Sequence, residues 1–287
     1  MSRLSTLEQV NGSHNKALEC RPDDYRSWYR RGNAFLALHR YHDAIASYEK
    51  AIQCKSDDFR AWYQLGNALD ELGDYEDAIA SYDRALKYNR LDYWIWYWRG
   101  HTLRKVERYQ EAVDSYDEAL KLQPNDYWAV YHKGHALRGL QRYEEALDCY
   151  EQALNLRSKD YWAWYWRGDT LRLMGRDREA ISCYNKALRL KPRDFWTWYR
   201  RGDALRCLGR FQNAIASYRK ALDLNSDNPD VWFNQACCYA MLIKVDEAVE
   251  SLQEAIDLEP TKYLNLAETS SYFNRIRGDR RFESLFK

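Results

Sequence analysis

The sequence predicts an all-α protein, a right-handed superhelical α-solenoid of helix-turn-helix hairpins, and three observations carry that prediction. Small residues return every 34 positions at Gly32, Gly66, Gly100, Gly134, Gly168, Gly202 and Ala236, and alanine keeps the same step at Ala44, Ala78, Ala112, Ala146, Ala180, Ala214 and Ala248. Tryptophan holds the register at Trp28, Trp62, Trp96, Trp164, Trp198 and Trp232, failing only at Val130, with a second aromatic line at Tyr48, Tyr82, Tyr116, Tyr150, Tyr184 and Tyr218. An aspartate precedes each aromatic run, at Asp24, Asp58, Asp92, Asp126, Asp160 and Asp194. Self-similarity at a fixed period marks stacked units that cannot bury their apolar faces alone.

Taken in order, residues 1–24 align with only the second half of a unit, ending in Ala17, Leu18 and Pro22, and are expected to form an orphan or capping helix. Seven full units follow, 25–58, 59–92, 93–126, 127–160, 161–194, 195–228 and 229–262, each read as two helices. The aspartates stand where a carboxylate accepts the free N–H groups of a first turn and opposes the helix dipole. Gly73, Gly175 and Gly209 fall at the break between the two helices, and Pro22, Pro124, Pro192 and Pro260 at the break between units. Gly100, Ala112 and their equivalents let the two helices approach closely. Residues 263–287 keep helical aromatics (Tyr272, Phe273, Phe282, Phe286) without the Trp and Gly marks, and are expected to cover the last hairpin.

Composition fits one elongated domain. No linker, Pro/Gly tract or charge run interrupts the period over 287 residues, 46% of them hydrophobic and 30% charged, with a net charge of +1. No apolar run approaches the ~18–20 residues of a membrane span, and the first twenty residues lack a signal-type apolar stretch. The seven cysteines, odd in number and without C-x-x-C spacing, argue against a disulfide framework or a zinc finger. A reducing, cytoplasmic location is expected.

The run Asp-Tyr-Trp-x-Trp-Tyr-Trp-Arg-Gly-x-x-Leu-Arg from Asp92 to Arg104, followed by Tyr109, Ala112, Tyr116, Ala119 and Leu120, resembles the tetratricopeptide repeat (TPR). The ending Ile276 to Leu285 is similar to the Ile-Arg-x-Asp-x-Arg-Phe-x-x-Leu close of bacterial arrays of that family. The resemblance implies a concave groove, lined by the outward face of the first helices, in which partner peptides lie. It does not extend to the two-carboxylate clamp of chaperone-docking members, because the clamp's lysine position holds Tyr29, Tyr63, Tyr97, Tyr131, Tyr165, Tyr199 or Phe233. The family's asparagine ladder survives only in polarity, as Asn33, Asn67, His101, His135, Asp169 and Asp203.

At about 100° per residue, positions four, seven, eight, eleven and fourteen of each first helix are assigned to the core, and positions two, five, six, nine, twelve and thirteen to the open face. The open face of the central units then reads Trp94, Tyr97, Trp98, His101, Arg104 and Lys105; Trp128, Tyr131, His132, His135 and Arg138; Trp162, Tyr165, Trp166, Asp169 and Arg172; Trp196, Tyr199, Arg200, Asp203 and Arg206. Its six tryptophans would present at most about 900–1,500 Å², against roughly 300–600 Å² for the largest apolar patch of a typical monomer. Either this is a binding surface, or Trp94 with Trp98 and Trp162 with Trp166 stack on each other. Arg172 and Arg206 have an acidic residue three places earlier and are expected to pair with it, whereas Arg104 and Arg138 follow His101 and His135 and are expected to face a ligand.

No Gly-rich phosphate loop, H-E-x-x-H or G-x-S-x-G occurs, and His132 with His135 has ligand spacing but reads as aromatic lining. The expectation is a non-enzymatic scaffold without cofactor or metal, binding an extended, acidic and apolar segment of another protein. Two alternatives stand beside it: single-stranded nucleic acid stacked on Trp with Arg on phosphates, which the balanced charge disfavours, and self-association through the open N-terminal edge.

Overall fold

The computed structural model describes residues 24–286, so the helix expected over 1–24 lies outside the described residues. The protein is all-α: sixteen α-helices and no strand occur among the described residues. Contacts divide the chain into two compact units, one ending at Cys149 and one beginning at Tyr150. The unbroken period predicts a single domain. In a repeat array, contacts are confined to neighbouring hairpins, so a division into two needs no irregularity in the chain.

The first unit contains α1 (Tyr25–Ala37), α2 (Tyr41–Cys54), α3 (Phe59–Leu72), α4 (Tyr75–Tyr88), α5 (Tyr93–Lys105), α6 (Tyr109–Leu122), α7 (Tyr127–Gly139) and the start of α8 (Tyr143–Leu156). The second contains the remainder of α8, then α9 (Tyr161–Leu173), α10 (Asp177–Leu190), α11 (Phe195–Cys207), α12 (Phe211–Leu222), α13 (Pro229–Met241), α14 (Val245–Leu258), α15 (Pro260–Thr269) and α16 (Arg280–Glu283), with 3-10 turns at Ser271–Phe273 and Ser284–Phe286.

Each first helix starts at a capping carboxylate or amide. The Asp92 side chain accepts from the Trp94 N–H at 2.9 Å, Asp126 from Ala129 at 2.8 Å and Asp194 from Thr197 at 2.9 Å, while Asn228 takes the same role for Val231 at 3.2 Å. The hairpin breaks share one backbone geometry. His39, Gly73, Glu107, Gln141, Gly175, Gly209 and Ile243, one every 34 residues, have φ between 57° and 98°. Only three are glycine, so four units hold an ordinary side chain in the left-handed region that glycine fills without strain.

In five hairpins a buried tyrosine is wedged against the glycine of the first helix, at Gly32, Gly66, Gly100, Gly168 and Gly202, whereas the last hairpin has Ala236 and Leu252 in those places. Tyr48, Tyr82, Tyr116, Tyr184 and Tyr218 of the second helices have no exposed surface. A Cβ on Gly32, Gly66 or Gly202 would meet the facing ring at 2.5–2.6 Å, so hydrogen is the largest substituent that fits there.

Two core assignments from the helical wheel are corrected. The position-five tyrosines Tyr97, Tyr131 and Tyr165, expected on the open face, are buried. The position-four tryptophans, expected in the core, are only partly buried. Trp62, Trp96, Trp164, Trp198 and Trp232 each donate the indole N–H to the carbonyl six residues earlier, at 2.8–3.0 Å, and so clip the preceding loop. The physical reason is that a first helix packs on its neighbours as well as on its own partner: Thr102 donates to Asp70 of the preceding hairpin at 2.7 Å, and the Tyr161 and Thr197 hydroxyls meet at 2.8 Å. The buried arc therefore widens to positions three, five and ten, where Ile95, Ala129, Ala163, Thr102, Ala136 and Thr170 have no exposed surface.

In the second unit, the segment after α14 lays Phe273, Ile276 and Phe282 into fully buried positions, with Phe233 of α13 5.4 Å from Tyr263 and 5.8 Å from Phe273, ring to ring. Pro260, read as a break, occupies the first turn of α15, where its missing N–H is no loss.

Candidate functional site

In the first unit, Trp94 and Trp128 stand on the open face, 54% and 44% exposed. Each is held edge-on by buried tyrosines: Trp94 by Tyr93 at 5.1 Å and Tyr97 at 6.1 Å, Trp128 by Tyr127 at 5.0 Å and Tyr131 at 6.2 Å. Trp94 thus rests on tyrosines rather than on Trp98, and its outer face stays open. Tyr97 and Tyr131 back the tryptophans and do not themselves line the surface. Trp98, half-buried, meets His101 edge-on at 5.2 Å, and Trp128 stacks on His132 at 6.0 Å with 19° between the planes.

The histidines form one cluster, His101 to His132 at 5.6 Å and His132 to His135 at 6.2 Å between ring centres. Burial, reinforced by the Arg104 guanidinium, pushes His101 down to about 4 and His132 to about 3. Burial, with His132 and Arg104 as further causes, sets His135 well below its usual value. All three rings are neutral at pH 7. Lys105 is already engaged, its ammonium 2.7 Å from the buried Asp70 carboxylate. Arg104 is different: among the described residues no carboxylate pairs with it, and its Nε is buried without a partner. Arg138 is half-buried on the same face.

The second unit repeats the tryptophan arrangement. Trp162 (50% exposed) lies 4.9 Å from Tyr161 and 6.1 Å from Tyr165, and Trp196 (52% exposed) lies 5.1 Å from Phe195 and 6.3 Å from Tyr199. Trp166 is half-buried against Tyr165 at 5.1 Å, and Tyr199 is half-buried. Arg172 pairs with Asp169 at 3.2 Å, as its spacing predicts. Arg206 does not pair with Asp203. Its guanidinium donates to the Tyr272 hydroxyl at 2.7 Å and approaches the Tyr218 hydroxyl at 3.4 Å. Asp203 instead accepts from Tyr218 at 2.9 Å and from Asn234 at 3.2 Å, with Arg200 at 3.5 Å. Arg206 is therefore committed to the chain's own C-terminal segment, which sequence spacing could not show across 66 residues.

The asparagines read as a ladder are also engaged internally: Asn33 accepts from the Tyr48 hydroxyl at 2.8 Å and Asn67 from Tyr82 at 2.9 Å. The role of the tyrosine line as partner of position nine was missed, although its fixed 15-residue offset was a usable signal. A cavity of about 390 Å³ opens beside this pair in the first unit, lined by Tyr63, Asn67, Asp70, Tyr82 and Trp98 among others. A larger one in the second unit, about 690 Å³, lies against the loop-clipping Trp232. Among the described residues no group of three or more His, Cys, Asp or Glu is placed to hold a metal ion, and no helix is long and apolar enough to cross a membrane.

Comparisons with known proteins agree with this architecture. No curated protein matches the sequence. Among solved structures, the C-terminal part of a TPR repeat-containing protein from Cytophaga hutchinsonii is similar at a TM-score of 0.72 and 17% identity, over 83% of this chain and 98% of that one. A tetratricopeptide repeat protein from Parabacteroides merdae gives a TM-score of 0.64 at 18% identity, over 85% and 99%. YrrB, described as a TPR protein with an unusual peptide-binding site, gives 0.57 at 23% identity, over 65% and 97%. At these identities the likeness is one of fold. Tetratricopeptide-repeat models match residues 15–46, 63–127, 161–194, 183–216 and 229–262, and a TPR-repeat model matches 32–73, 134–175 and 202–241. With helical hairpins from Tyr25 to Leu258 and repeat matches between residues 15 and 262, the chain belongs to the tetratricopeptide-repeat family.

Proposed function

We propose that this protein is a non-enzymatic interaction scaffold whose first-helix face forms an aromatic, basic groove for an extended segment of a partner protein. The family's fold supports the scaffold role, and YrrB, of the same fold, is described as having a peptide-binding site. The observation that carries the reading is the recurrence of Trp94 and Trp128 in the first unit and of Trp162 and Trp196 in the second, each about half exposed and propped edge-on by an aromatic ring. Rigid aromatic surface costs little entropy to immobilise, which is why such side chains dominate binding hot spots. Their neighbours Arg104 and Arg138 add guanidinium charge for carboxylates.

A random-peptide display library panned on the intact chain tests this. Enriched peptides should carry aromatic, aliphatic or proline residues beside acidic ones, and a Trp128→Ala/Trp162→Ala variant should retain them at least tenfold less well. A labelled single-stranded oligonucleotide serves as the counter-probe. Tight binding of it at physiological salt, lost in the double variant, would replace the peptide reading by a nucleic-acid one, since binding driven by phosphate contacts weakens steeply with salt and stacking does not.

A further inference from the structure

The cavity of about 690 Å³ in the second unit is lined by positions four, seven and eleven of α13 (Trp232, Gln235 and Tyr239) and by residues of α12 and α14, and by no open-face position. The same notch recurs four repeats earlier as a cavity of about 580 Å³, where Trp96, Arg99 and Ser115 stand in place of Trp232, Gln235 and Ser251. There the chain supplies its own cation. Arg99 donates to Ser115 at 2.7 Å and to Asp83 of the preceding hairpin at 2.6 Å. Arg201 bonds Ser217 at 2.6 Å and Asn185 at 2.7 Å in the same way, with its guanidinium 5.5 Å from the Trp198 ring. Arginine at position seven always follows tryptophan at position four, in Arg31, Arg99, Arg167 and Arg201, and the one lysine, Lys133, follows the one valine, Val130. The notch is thus a guanidinium seat, with an indole face on one side and acceptors at its rim.

The seventh hairpin keeps the seat without the cation. In the second hairpin Leu65 closes it with an apolar side chain, whereas position seven of the seventh is Gln235, 3% exposed. Trp232 is present and half-buried, and among the described residues no cation lies over its ring. One arm of the Gln235 amide meets Ser251 Oγ at 3.2 Å, and the other is buried without a partner. The single Ser251 proton goes to the Glu247 carbonyl at 2.8 Å, as its equivalents do in other hairpins. The arm on Ser251 is therefore the amide nitrogen, and the unpartnered arm is the oxygen, an acceptor. Of the carboxylates lining the cavity, Glu247 lies 3.4 Å from Lys244 and Asp223 3.5 Å from Lys220, while Glu250 and Glu254 are exposed and make no ion pair among the described residues. Arg219, in the place of Asp83, turns its guanidinium to the Tyr239 hydroxyl at 2.7 Å.

We propose that this cavity docks the guanidinium of an arginine side chain presented by a partner protein, on a second surface separate from the first-helix groove. Trp232 offers its ring face, Glu250 and Glu254 the charge, and Gln235 an unused acceptor. An anion would meet four carboxylates and two cations, both cations already engaged. An ammonium would answer the charge without lying flat on the indole.

Proton–nitrogen correlation spectra of the intact chain follow the site directly, with the Trp232 indole signal identified by its loss in Trp232→Phe. Nα-acetylarginine methylamide, titrated at constant ionic strength, should shift that signal to saturation. The neutral citrulline counterpart should bind about tenfold more weakly, and the lysine counterpart about threefold. The exposed pair Glu250→Gln/Glu254→Gln should weaken the arginine probe about three- to tenfold. Gln235→Arg, which fills the seat from within as Arg99 does, should abolish its binding. Trp128→Ala/Trp162→Ala should bind the probe as the parent does, since the first-helix groove takes no part. A Trp232 signal that stays still, or citrulline or lysine binding as tightly as arginine, would overturn the inference, as would undiminished binding by Gln235→Arg. Free arginine bound more tightly than the blocked residue would overturn the partner assignment in favour of the free amino acid. Should Gln235→Arg fail to fold, the citrulline comparison on the unaltered chain still decides the matter.

Discussion

Gly202→Ala isolates the wedge between the two helices of its own hairpin, where Tyr218 packs on Gly202. On a free helix the change is favourable by about 1 kcal/mol, because alanine loses less backbone entropy than glycine. Here the new Cβ would sit 2.5 Å from Tyr218 Cε1 and 2.7 Å from Cδ1. The ring cannot withdraw: it is fully buried, and its hydroxyl is fixed by Asp203 at 2.9 Å and Arg206 at 3.4 Å. Overpacking of a closed core costs about 1–3 kcal/mol, and displacing the hydroxyl forfeits a charge-assisted bond of roughly 1.5–3 kcal/mol. The net expectation is a loss of about 1.5–5 kcal/mol after the helix gain, or about 3–20 °C in melting temperature. Gly139→Ala is the internal control. Its Cβ would meet Tyr109 at 2.7 Å, but Gly139 is exposed and the Tyr109 ring partly so, and that ring swings aside. Gly139→Ala should be neutral or stabilising by up to about 1 kcal/mol. Urea titration by circular dichroism, with a thermal scan, measures both. Equal shifts for the two variants, or a more stable Gly202→Ala, would refute the wedge.

Three further outcomes are expected. Trp164→Ala, which breaks the loop clip to the Ser158 carbonyl at 3.0 Å, should cost about 2–3 kcal/mol, below the 3–5 kcal/mol of a fully buried tryptophan, whereas half-exposed Trp162→Ala should cost less than about 1.5 kcal/mol; urea midpoints decide, and equal losses would make the exposed row structural. Ile243→Gly should stabilise by about 1 kcal/mol, since a β-branched residue at φ 58° is strained where glycine is not, and an unchanged urea midpoint would contradict this. Stability should fall on acidification from pH 6.5 towards 4: His101 and His132, held at about 4 and 3 in the folded state, stay neutral while the unfolded chain takes up protons. At pH 5 the two amount to roughly 4 kcal/mol, and urea midpoints that coincide at pH 7 and pH 5 would show that the imidazoles are not buried.

The sequence by itself determined the repeat, the hairpin, the aspartate caps and the small residues that let the two helices of a hairpin approach closely. These follow from local rules: a helix period, an unsatisfied first turn and the absence of a Cβ act within one or two turns and are written in adjacent residues. It also singled out Trp94, Trp128, Trp162 and Trp196, whose excess over what a hairpin core needs was visible without coordinates.

Tertiary structure decided which neighbours of those tryptophans are available. Tyr97, Tyr131 and Tyr165 fall on the predicted face yet are buried, because adjacent first helices pack against each other and widen the covered arc beyond that of a single amphipathic helix. Glu107, Gln141, His39 and Ile243 adopt the glycine conformation because the fold closes every hairpin alike, whatever residue occupies the break. Arg104 and Arg206 hold equivalent positions, and local sequence separates them only by the residue three places earlier, His101 or Asp203, which assigns Arg206 to Asp203 rather than to Tyr272. Arg206 is claimed by Tyr272, 66 residues on, while among the described residues no carboxylate pairs with Arg104, whose charge bears on the Tyr116 hydroxyl of its own hairpin. Pairing at such separations is set by which surfaces the stacked helices bring together, and no local pattern of residues encodes it.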